Sequence, residues 1–336
     1  MTGAFTWIDG ERLIRFGSGV IQEAPDLLAA RGFERYVLLT TERAEAISPA
    51  LVEGAEVVLH VTQGPVPDAA AAVRSQVAGH PLVALGGGRA IDTAKAIAGA
   101  DGLTCAAVPT TLAGSPITPF HRMPAGVETF HMVRPSLVVW DPNLISSLRR
   151  EQLVATAMNA LAHAFESLYT PLANPVGEQA ALRAAELFGR ELPKADPDRE
   201  ALALAALLGS YAVGATGFAV HHALCQTTVR ICGIPHAETN AVVLPHSAAF
   251  VARRAPEAVG RFAGALGDPD GDPAKASDRL ARLSAETGVS GLAELGVADS
   301  QITELAAAAT EHPAMRQTPG GAPTADELEQ ILRAAL

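Results

Sequence analysis

The 336-residue sequence has few cysteines, few aromatic residues and no excess of basic charge. Its three cysteines, Cys105, Cys225 and Cys232, are odd in number, widely spread and set among apolar residues. A secreted disulfide framework is spaced differently, so this pattern favours a cytoplasmic protein. The formal net charge of −11 argues against a nucleic-acid or anionic-membrane partner, because either would require a basic surface.

Long hydrophobic runs are also missing. The N-terminus has no basic segment followed by an apolar one, as a secretory signal would have. No uninterrupted apolar stretch reaches the ~20 residues of a membrane span. The longest candidate, residues 201–220, is broken by Gly209, Ser210, Gly214 and Gly217. We therefore expect a buried helix with small residues at its contacts, and no membrane partner.

Apolar residues make up 49% of the chain, which is enough for a sizeable core. A chain of this length exceeds what one core usually supports, so two domains are expected. Short β-branched runs alternate with alanine-rich segments at first, as in a parallel βαβ sheet, and the pattern changes to long helices at Asp141 and Pro142. We predict an α/β domain over residues 1–145 and an all-α domain over residues 146–336.

In the first domain, the pattern predicts strands at residues 36–41, 56–61, 81–85, 106–108 and 137–140, and helices at residues 22–31, 67–77 and 91–98. In the second domain, it predicts helices at residues 149–169, 175–190, 199–215, 221–228, 237–252, 256–266, 278–286, 299–309 and 325–335.

Three consecutive glycines, Gly86, Gly87 and Gly88, follow the strand predicted at residues 81–85 and open a helix. We call them the glycine turn. Such a turn lets a phosphate approach the backbone N–H groups at the positive end of the helix. The spacing is neither G-x-G-x-x-G nor a Walker sequence, and a tight turn explains three glycines equally well.

A second loop, Val108–Ser115, also follows a strand and contains Thr110 and Thr111. Hydroxyl groups here suit either contacts to a nucleotide or the capping of a helix. Open α/β sheets bind ligands at the carboxyl ends of their strands. The presence of two such loops therefore favours a ligand site at this edge of the sheet.

Residues 221–246 contain four of the ten histidines and two of the three cysteines. Histidine is the commonest transition-metal ligand and titrates near neutral pH. For any single histidine here, a hydrogen-bonded position in the core is the better interpretation. For the whole cluster, a metal or acid–base site is favoured.

Helical spacing places several polar residues on shared faces. Asn159 and His163 are four residues apart, and so are His222 and Gln226. His236 begins the segment after the next turn. Asn159, His163, Gln226 and His236 are therefore candidates to line a common pocket.

Together these motifs resemble the group III, iron-containing alcohol dehydrogenase superfamily, and within it the maleylacetate reductases. The resemblance rests on Gly-Gly-Gly-x-x-x-Asp-x-Ala-Lys from Gly86, Pro-Thr-Thr-x-x-Gly-Ser from Pro109, Asn-Ala-x-x-His-Ala-x-Glu from Asn159, His-His-x-x-Cys from His221, and Pro-His-Ala-Glu-Thr from Pro235. It covers nearly the whole chain. It implies a nucleotide-binding α/β domain, a helical domain of the dehydroquinate-synthase-like kind, and an active site in the cleft between them.

The chemistry that the resemblance implies is hydride transfer between NAD(P)H and a carbonyl or enone carbon. By position, residues of both loops would hold the cofactor: Gly86, Gly87, Gly88 and Asp92 the pyrophosphate, Thr110 and Thr111 the adenosine part, with Lys95 supporting the glycine turn.

Several positions depart from the family pattern. Arg89 stands where the family usually has Ser, Pro116 where it has Glu, and Ser136 where a Lys is expected. Arg89 suits a phosphate or a substrate carboxylate, and Arg134 is a substitute for the missing Lys. Alternatively, these changes indicate a site that has lost the ability to bind a dinucleotide.

Thr41 lies where NAD-selective members carry an acidic residue. It offers no carboxylate to a ribose 2′-hydroxyl, and Arg43 is a candidate partner for a 2′-phosphate. The resemblance therefore favours NADPH over NADH.

Metal-binding members of the family use an Asp and three His. The matching positions here are Asn159, His163, Gln226 and His236. Because an amide is a poor, neutral ligand, we expect no metal.

Three functions remain open. The first is a metal-independent NAD(P)H-dependent reductase of a small acidic enone or carbonyl substrate, similar to maleylacetate reductase, and by the same resemblance a homodimer. His221, His222 or His236 would supply its proton. Its substrate carboxylates would be held by Arg89, Arg122 or Arg230.

The second is a non-redox acid–base or cyclisation catalyst of specialised metabolism that uses His163, His222 and His236 without a nucleotide. The third is an inert binding protein. It is the least favoured, because buried polar groups are costly to keep satisfied.

Overall fold

The computed structural model describes residues 3–336. The chain forms two compact units, one ending at Ser147 and the other beginning at Leu148. The predicted boundary after residue 145 lies close to this division. The first unit is α/β, and every regular element in residues 148–336 is a helix, so the predicted fold class is confirmed.

Within residues 3–147, the first unit contains one seven-stranded sheet and five α-helices. The strands are β1 Phe5–Asp9, β2 Arg12–Phe16, β3 Tyr36–Thr40, β4 Ala55–His60, β5 Leu82–Gly86, β6 Cys105–Pro109 and β7 Leu137–Trp140. The helices are α1 Ala24–Ala30, α2 Glu42–Glu45, α3 Pro49–Glu53, α4 Val66–Arg74 and α5 Gly88–Asp101. The sequence predicts neither β1, which ends at Asp9, nor β2, which contains Arg12 and Arg15.

The central strands are buried on both faces. Val37 and Leu39 of β3 pack into the cluster that also contains Ile91 of α5, whereas Tyr36 and Leu38 pack into the opposite cluster. Strands covered on both sides read as continuous apolar runs, which is why the sequence identifies them.

The strand order is β1-β2-β7-β6-β5-β3-β4, antiparallel between β1 and β2 and parallel elsewhere. After β3 the chain adds β4 on one side and then β5, β6 and β7 on the other. Ligands of open α/β sheets bind at the carboxyl ends of strands where the order reverses in this way. The glycine turn follows β5 and Thr41 follows β3, so both lie at this reversal.

The boundaries of several helices differ from their prediction: the helix predicted at residues 221–228 continues to Cys232, and that predicted at residues 278–286 begins at Pro273. The segment predicted as a helix from residue 22 begins as a 3₁₀ turn, Val20–Glu23, before α1. Helix α5 begins at Gly88, so the last glycine of the turn is already helical. The N–H groups in the first turn of α5 therefore lie beside the carboxyl end of β5.

The second unit contains nine α-helices. They are α6 Arg150–Ser167, α7 Pro175–Glu191, α8 Arg199–Thr216, α9 Val220–Cys232, α10 His236–Ala252, α11 Pro256–Ala265, α12 Pro273–Ala285, α13 Ile302–Thr310 and α14 Ala325–Ala334. Polar side chains define several starts: Asn174 accepts a bond from Gly177 N, and Asp198 accepts one from Ala201 N. These caps agree with the predicted starts of α7 and α8.

Small residues bring α6 and α8 close together, as the sequence predicts for residues 201–220. A Cβ on Gly209 would lie 2.8 Å from the carbonyl oxygen of Ala160. Among residues 3–336, no single helix is long and apolar enough to cross a membrane. Helices α8 and α9 pass that test only as a pair, which is bent by 98°.

Candidate functional site

The glycine turn packs against the loop that follows β6. A Cβ on Gly87 would lie 3.1 Å from Cγ2 of Thr111, and one on Gly88 would lie 3.1 Å from Cβ of Ala113. Thr110 is buried, and its N–H donates to the carbonyl oxygen of Gly86 at 3.0 Å. A larger residue at either glycine would push the two loops apart.

Lys95 joins α5, which begins in the glycine turn, to the segment that follows β6. Its fully buried Nζ donates to the carbonyl oxygens of Phe120 at 2.6 Å and Ser115 at 3.2 Å, and to Asp92 Oδ1 at 3.1 Å. Asp92 also accepts a bond from Ser115 Oγ at 2.9 Å. Lys95 and Asp92 are therefore both bonded to groups of the protein.

Arg89 lies in the first turn of α5 and is half-buried. Its Nε is buried and has no hydrogen-bond partner among residues 3–336. A buried arginine donor without a partner is available to an anion, and α5 offers free N–H groups beside it. These residues fit the pyrophosphate of a dinucleotide.

The residues proposed to select the nucleotide have structural contacts of their own. Thr41 Oγ1 caps α2 by accepting a bond from Ala44 N at 3.3 Å. Arg43 Nη2 donates to the carbonyl oxygen of Ser147 at 2.7 Å. Arg134, the residue predicted to substitute for the missing Lys, forms an ion pair with Glu11 at 3.4 Å.

In the helical unit, α6 and α9 place three polar residues side by side. Asn159 and His163 lie one turn apart on α6 and are buried. The His163 ring stacks on that of His222, with centroids 4.7 Å apart and planes 18° apart. Phe218 stacks on the His222 ring with centroids 4.5 Å apart.

Glu166, the last residue of the motif that begins at Asn159, is a further member of this cluster for which the sequence predicts no role. It is fully buried, and its Oε1 accepts bonds from the N–H groups of Ala219 at 3.1 Å, His221 at 2.8 Å and His222 at 3.2 Å. Its Oε2 lies 2.6 Å from Nδ1 of His222. Because α9 has no side-chain cap of its own, Glu166 caps it from α6.

His221 and His222 are neighbours in sequence but have different surroundings. Nδ1 of His221 lies 2.8 Å from Ser247 Oγ, and its Nε2 lies 3.0 Å from Asn240 Oδ1. Both nitrogens are therefore satisfied, as in a core histidine. Nε2 of His222 is buried and has no hydrogen-bond partner among residues 3–336.

Two further buried atoms near His222 share this property. Oδ1 of Asn159 and Nδ1 of His163 also lack a partner in the described part of the chain. Buried polar atoms normally have partners, so three neighbouring exceptions are candidates to contact a bound molecule.

Gln226 and His236 are placed differently from Asn159 and His163. Nδ1 of His312 accepts a bond from Ala314 N at 3.2 Å, so its Nε2 donates to Gln226 Oε1 at 3.2 Å. His236 is exposed at the start of α10, with Nε2 3.3 Å from Asn240 Nδ2. His312 is 86 residues from Gln226 in sequence, so helical spacing does not predict this contact.

Burial determines the protonation of the cluster. It lowers the pKa values of His163 and His222 well below the usual range and lowers the pKa of His221 to about 3. It also raises the pKa of Glu166, against the opposing effect of the nearby histidines and backbone N–H groups. Both directions favour uncharged side chains.

The cluster does not fit a metal ion. Within residues 3–336, no group of three or more His, Cys, Asp or Glu side chains is arranged to hold one. Oε1 of Glu166, the carboxylate of the cluster, is occupied by three backbone N–H groups. A divalent cation here would meet neutral imidazoles and an amide without an anionic ligand.

Comparison with known proteins identifies the family to which the chain belongs. The C-terminal profile of the Fe-containing alcohol dehydrogenase family matches residues 153–336, and the iron-containing alcohol dehydrogenase profile matches residues 12–142. The chain belongs to the iron-containing alcohol dehydrogenase family. The predicted family and the predicted class of enzyme, an oxidoreductase, are thereby confirmed.

The relatives include several maleylacetate reductases. That of Sphingobium indicum is 37% identical over 317 residues, which cover 89% of this chain and 88% of the relative. Maleylacetate reductase 1 of Rhodococcus opacus is 37% identical over 242 residues, covering 69% of this chain and 67% of the relative. The crystal structure of maleylacetate reductase from Agrobacterium tumefaciens is 29% identical, covers 100% of this chain and 99% of its own, and has a TM-score of 0.83.

Proposed function

We propose that this oxidoreductase is a metal-independent, NAD(P)H-dependent reductase of a small acidic enone or carbonyl compound, with maleylacetate as the first substrate to test. The observation that carries the proposal is the 37% identity to the Sphingobium indicum maleylacetate reductase over 317 residues. A match of that length includes both the glycine turn and the histidine cluster.

The glycine turn, Arg89 and the N-terminus of α5 bind the pyrophosphate in this proposal, and Lys95 keeps the turn in place. When bound, NAD(P)H supplies the hydride to an electron-poor carbon of the substrate. The unpartnered atoms of Asn159, His163 and His222 orient the substrate and provide the matching proton. Metal independence is supported by the lack of an anionic ligand in the cluster.

The test is an assay of the purified chain with maleylacetate and each nucleotide, together with metal analysis. We expect nucleotide-dependent turnover that survives a chelator, and a protein that contains much less than one equivalent of metal. Loss of activity on chelation, restored by one metal ion, would contradict metal independence. Turnover without nucleotide would instead favour a non-redox acid–base catalyst.

We propose NADPH as the preferred nucleotide, because Thr41 offers no carboxylate to a ribose 2′-hydroxyl. Thr41→Asp keeps an N-cap for α2 and adds that carboxylate, so it should shift kcat/KM toward NADH by about tenfold. Thr41→Ser keeps the cap without a charge and is the matched control. A Thr41→Asp variant with unchanged nucleotide preference would contradict the assignment.

A further inference from the structure

The two oxygens of Glu166 have different surroundings. Among the described residues, every backbone N–H group that donates to this carboxyl reaches Oε1. The hydroxyl of Tyr169 also lies near Oε1, at 3.4 Å. Oε2 instead lies 2.6 Å from Nδ1 of His222. The carboxyl group is therefore asymmetric, with one oxygen that only accepts bonds.

This asymmetry matches the uncharged form of the pair. A carboxylic acid has one carbonyl oxygen, which suits Oε1, and one hydroxyl, which from Oε2 donates to Nδ1 of His222. Both side chains are buried, so a pair without net charge avoids the cost of an isolated buried ion. If Nδ1 accepts this bond, the hydrogen of the neutral imidazole is on Nε2.

Nε2 is also the atom of His222 that lacks a partner among residues 3–336, and the His163 ring stacks beside it. We propose that Glu166 and His222 act as one proton donor, in which Nε2 of His222 gives the proton to the substrate and Glu166 receives the negative charge. This inference rests on the proposed reductase function. Glu166 acts through His222 and is a positioning residue.

The step balances as follows. Hydride addition leaves a negative charge on the substrate, and the Nε2–H bond breaks as a new O–H or C–H bond forms there. Nδ1 takes the proton from Oε2, so His222 stays neutral and Glu166 becomes a carboxylate. The three N–H groups at the start of α9 stabilise that carboxylate. After product leaves, Nε2 takes up one proton from solvent and Nδ1 returns its proton to Oε2, which restores the starting pair.

The test uses Glu166→Gln in the full chain. The amide oxygen can still accept the three backbone bonds, and the amide N–H can still donate to Nδ1. The cap of α9 and the orientation of His222 are therefore kept, but the amide cannot give up a proton. We expect kcat to fall about 10²- to 10³-fold, with KM within about threefold of the wild-type value.

Glu191→Gln is the matched control. Glu191 is also buried in the helical unit and accepts a backbone bond from Asp198 N at 3.1 Å, but it contacts no histidine of the cluster. It should lower stability while leaving kcat near the wild-type value. A kcat of Glu166→Gln close to wild type would overturn the inference and leave the proposed reductase function standing.

A spectroscopic measurement on the wild-type protein covers the case in which Glu166→Gln does not fold. Nitrogen NMR of histidine-labelled protein should show a hydrogen on Nε2 of His222. A hydrogen on Nδ1 with a bare Nε2, or one metal equivalent bound at Nε2, would overturn the inference. This result does not depend on the substrate, so it separates failure of the inference from failure of the proposed function.

Discussion

Nζ of Lys95 donates to the carbonyl oxygen of Phe120 at 2.6 Å, so a buried cation in α5 fixes a loop well along the chain. The same group bonds Asp92. Lys95→Met should therefore cost about 2–3 kcal/mol of unfolding free energy, because it leaves three oxygens without their donor.

The same variant should weaken NAD(P)H binding about tenfold or more, since α5, which begins in the glycine turn, loses its bonds to the segment after β6. Urea unfolding and nucleotide titration measure the two effects. Lys275→Met removes an exposed lysine that pairs with Asp270 and with the buried Asp268, so it should leave nucleotide binding unchanged and lower stability less than Lys95→Met does. Equal nucleotide affinity in Lys95→Met and wild type would show that the turn does not need this lysine.

His221 should make the protein less stable in acid. Burial lowers its folded-state pKa to about 3, whereas the unfolded value is about 6.5. Between these pH values the unfolded state binds one more proton, so stability falls as pH falls, by about 1.4 kcal/mol per unit from this histidine.

His221→Gln should reduce that slope by one proton and leave the pH dependence above pH 7.5 unchanged. Urea titrations at a series of pH values provide the measurement. A variant with the wild-type slope would mean that His221 does not resist protonation.

Glu191 should contribute stability that disappears at lower pH. Burial alone would raise its pKa, but bonds from Lys194, Arg190 and the N–H of Asp198 outweigh this and lower the pKa to about 2. Its contribution is thus complete above the unfolded value near 4.5 and is lost as pH falls toward 2.

Glu191→Gln should cost about 1–2 kcal/mol at pH 7 and remove this acid dependence. Thermal or urea unfolding between pH 7 and pH 3 tests it. If the variant and wild type lose stability in parallel below pH 4.5, the ionised form of Glu191 is not the stabilising one.

Gly209 should not tolerate a side chain. A Cβ would lie 2.8 Å from the carbonyl oxygen of Ala160 in α6, so Gly209→Ala should cost about 1–3 kcal/mol. It should also lower activity at temperatures where the protein is folded, because α6 carries Asn159 and His163.

Gly264→Ala provides the comparison. Its added Cβ would meet only Cα of Gly271, at 3.9 Å, and alanine is the better helix former. It should raise stability by about 0.5–1 kcal/mol. Similar stabilities of the two variants would contradict the close approach of α6 and α8.

The sequence predicts the central strands and most of the helices because burial on both faces and helical period leave clear patterns. It does not predict β1, which ends at Asp9, or β2, which contains Arg12 and Arg15. Helix α5 begins within the glycine turn, where glycine composition alone predicts a loop.

For the candidate site, spacing along one helix correctly places Asn159 and His163 on one face. Contacts between different helices cannot be predicted from residue spacing along one helix. The bonds of Glu166 to the start of α9 and of His312 to Gln226 join residues distant in sequence, so one chain without its fold cannot reveal them.

The carboxyl of Glu166 both starts α9 and holds the His222 ring. The group that caps the first turn of that helix is therefore also the group that orients the imidazole. Capping of α9 and orientation of the His222 ring therefore depend on the same side chain. A molecule that has folded correctly needs no later adjustment of this pair, and a chain with this carboxyl misplaced should lose order and reactivity together.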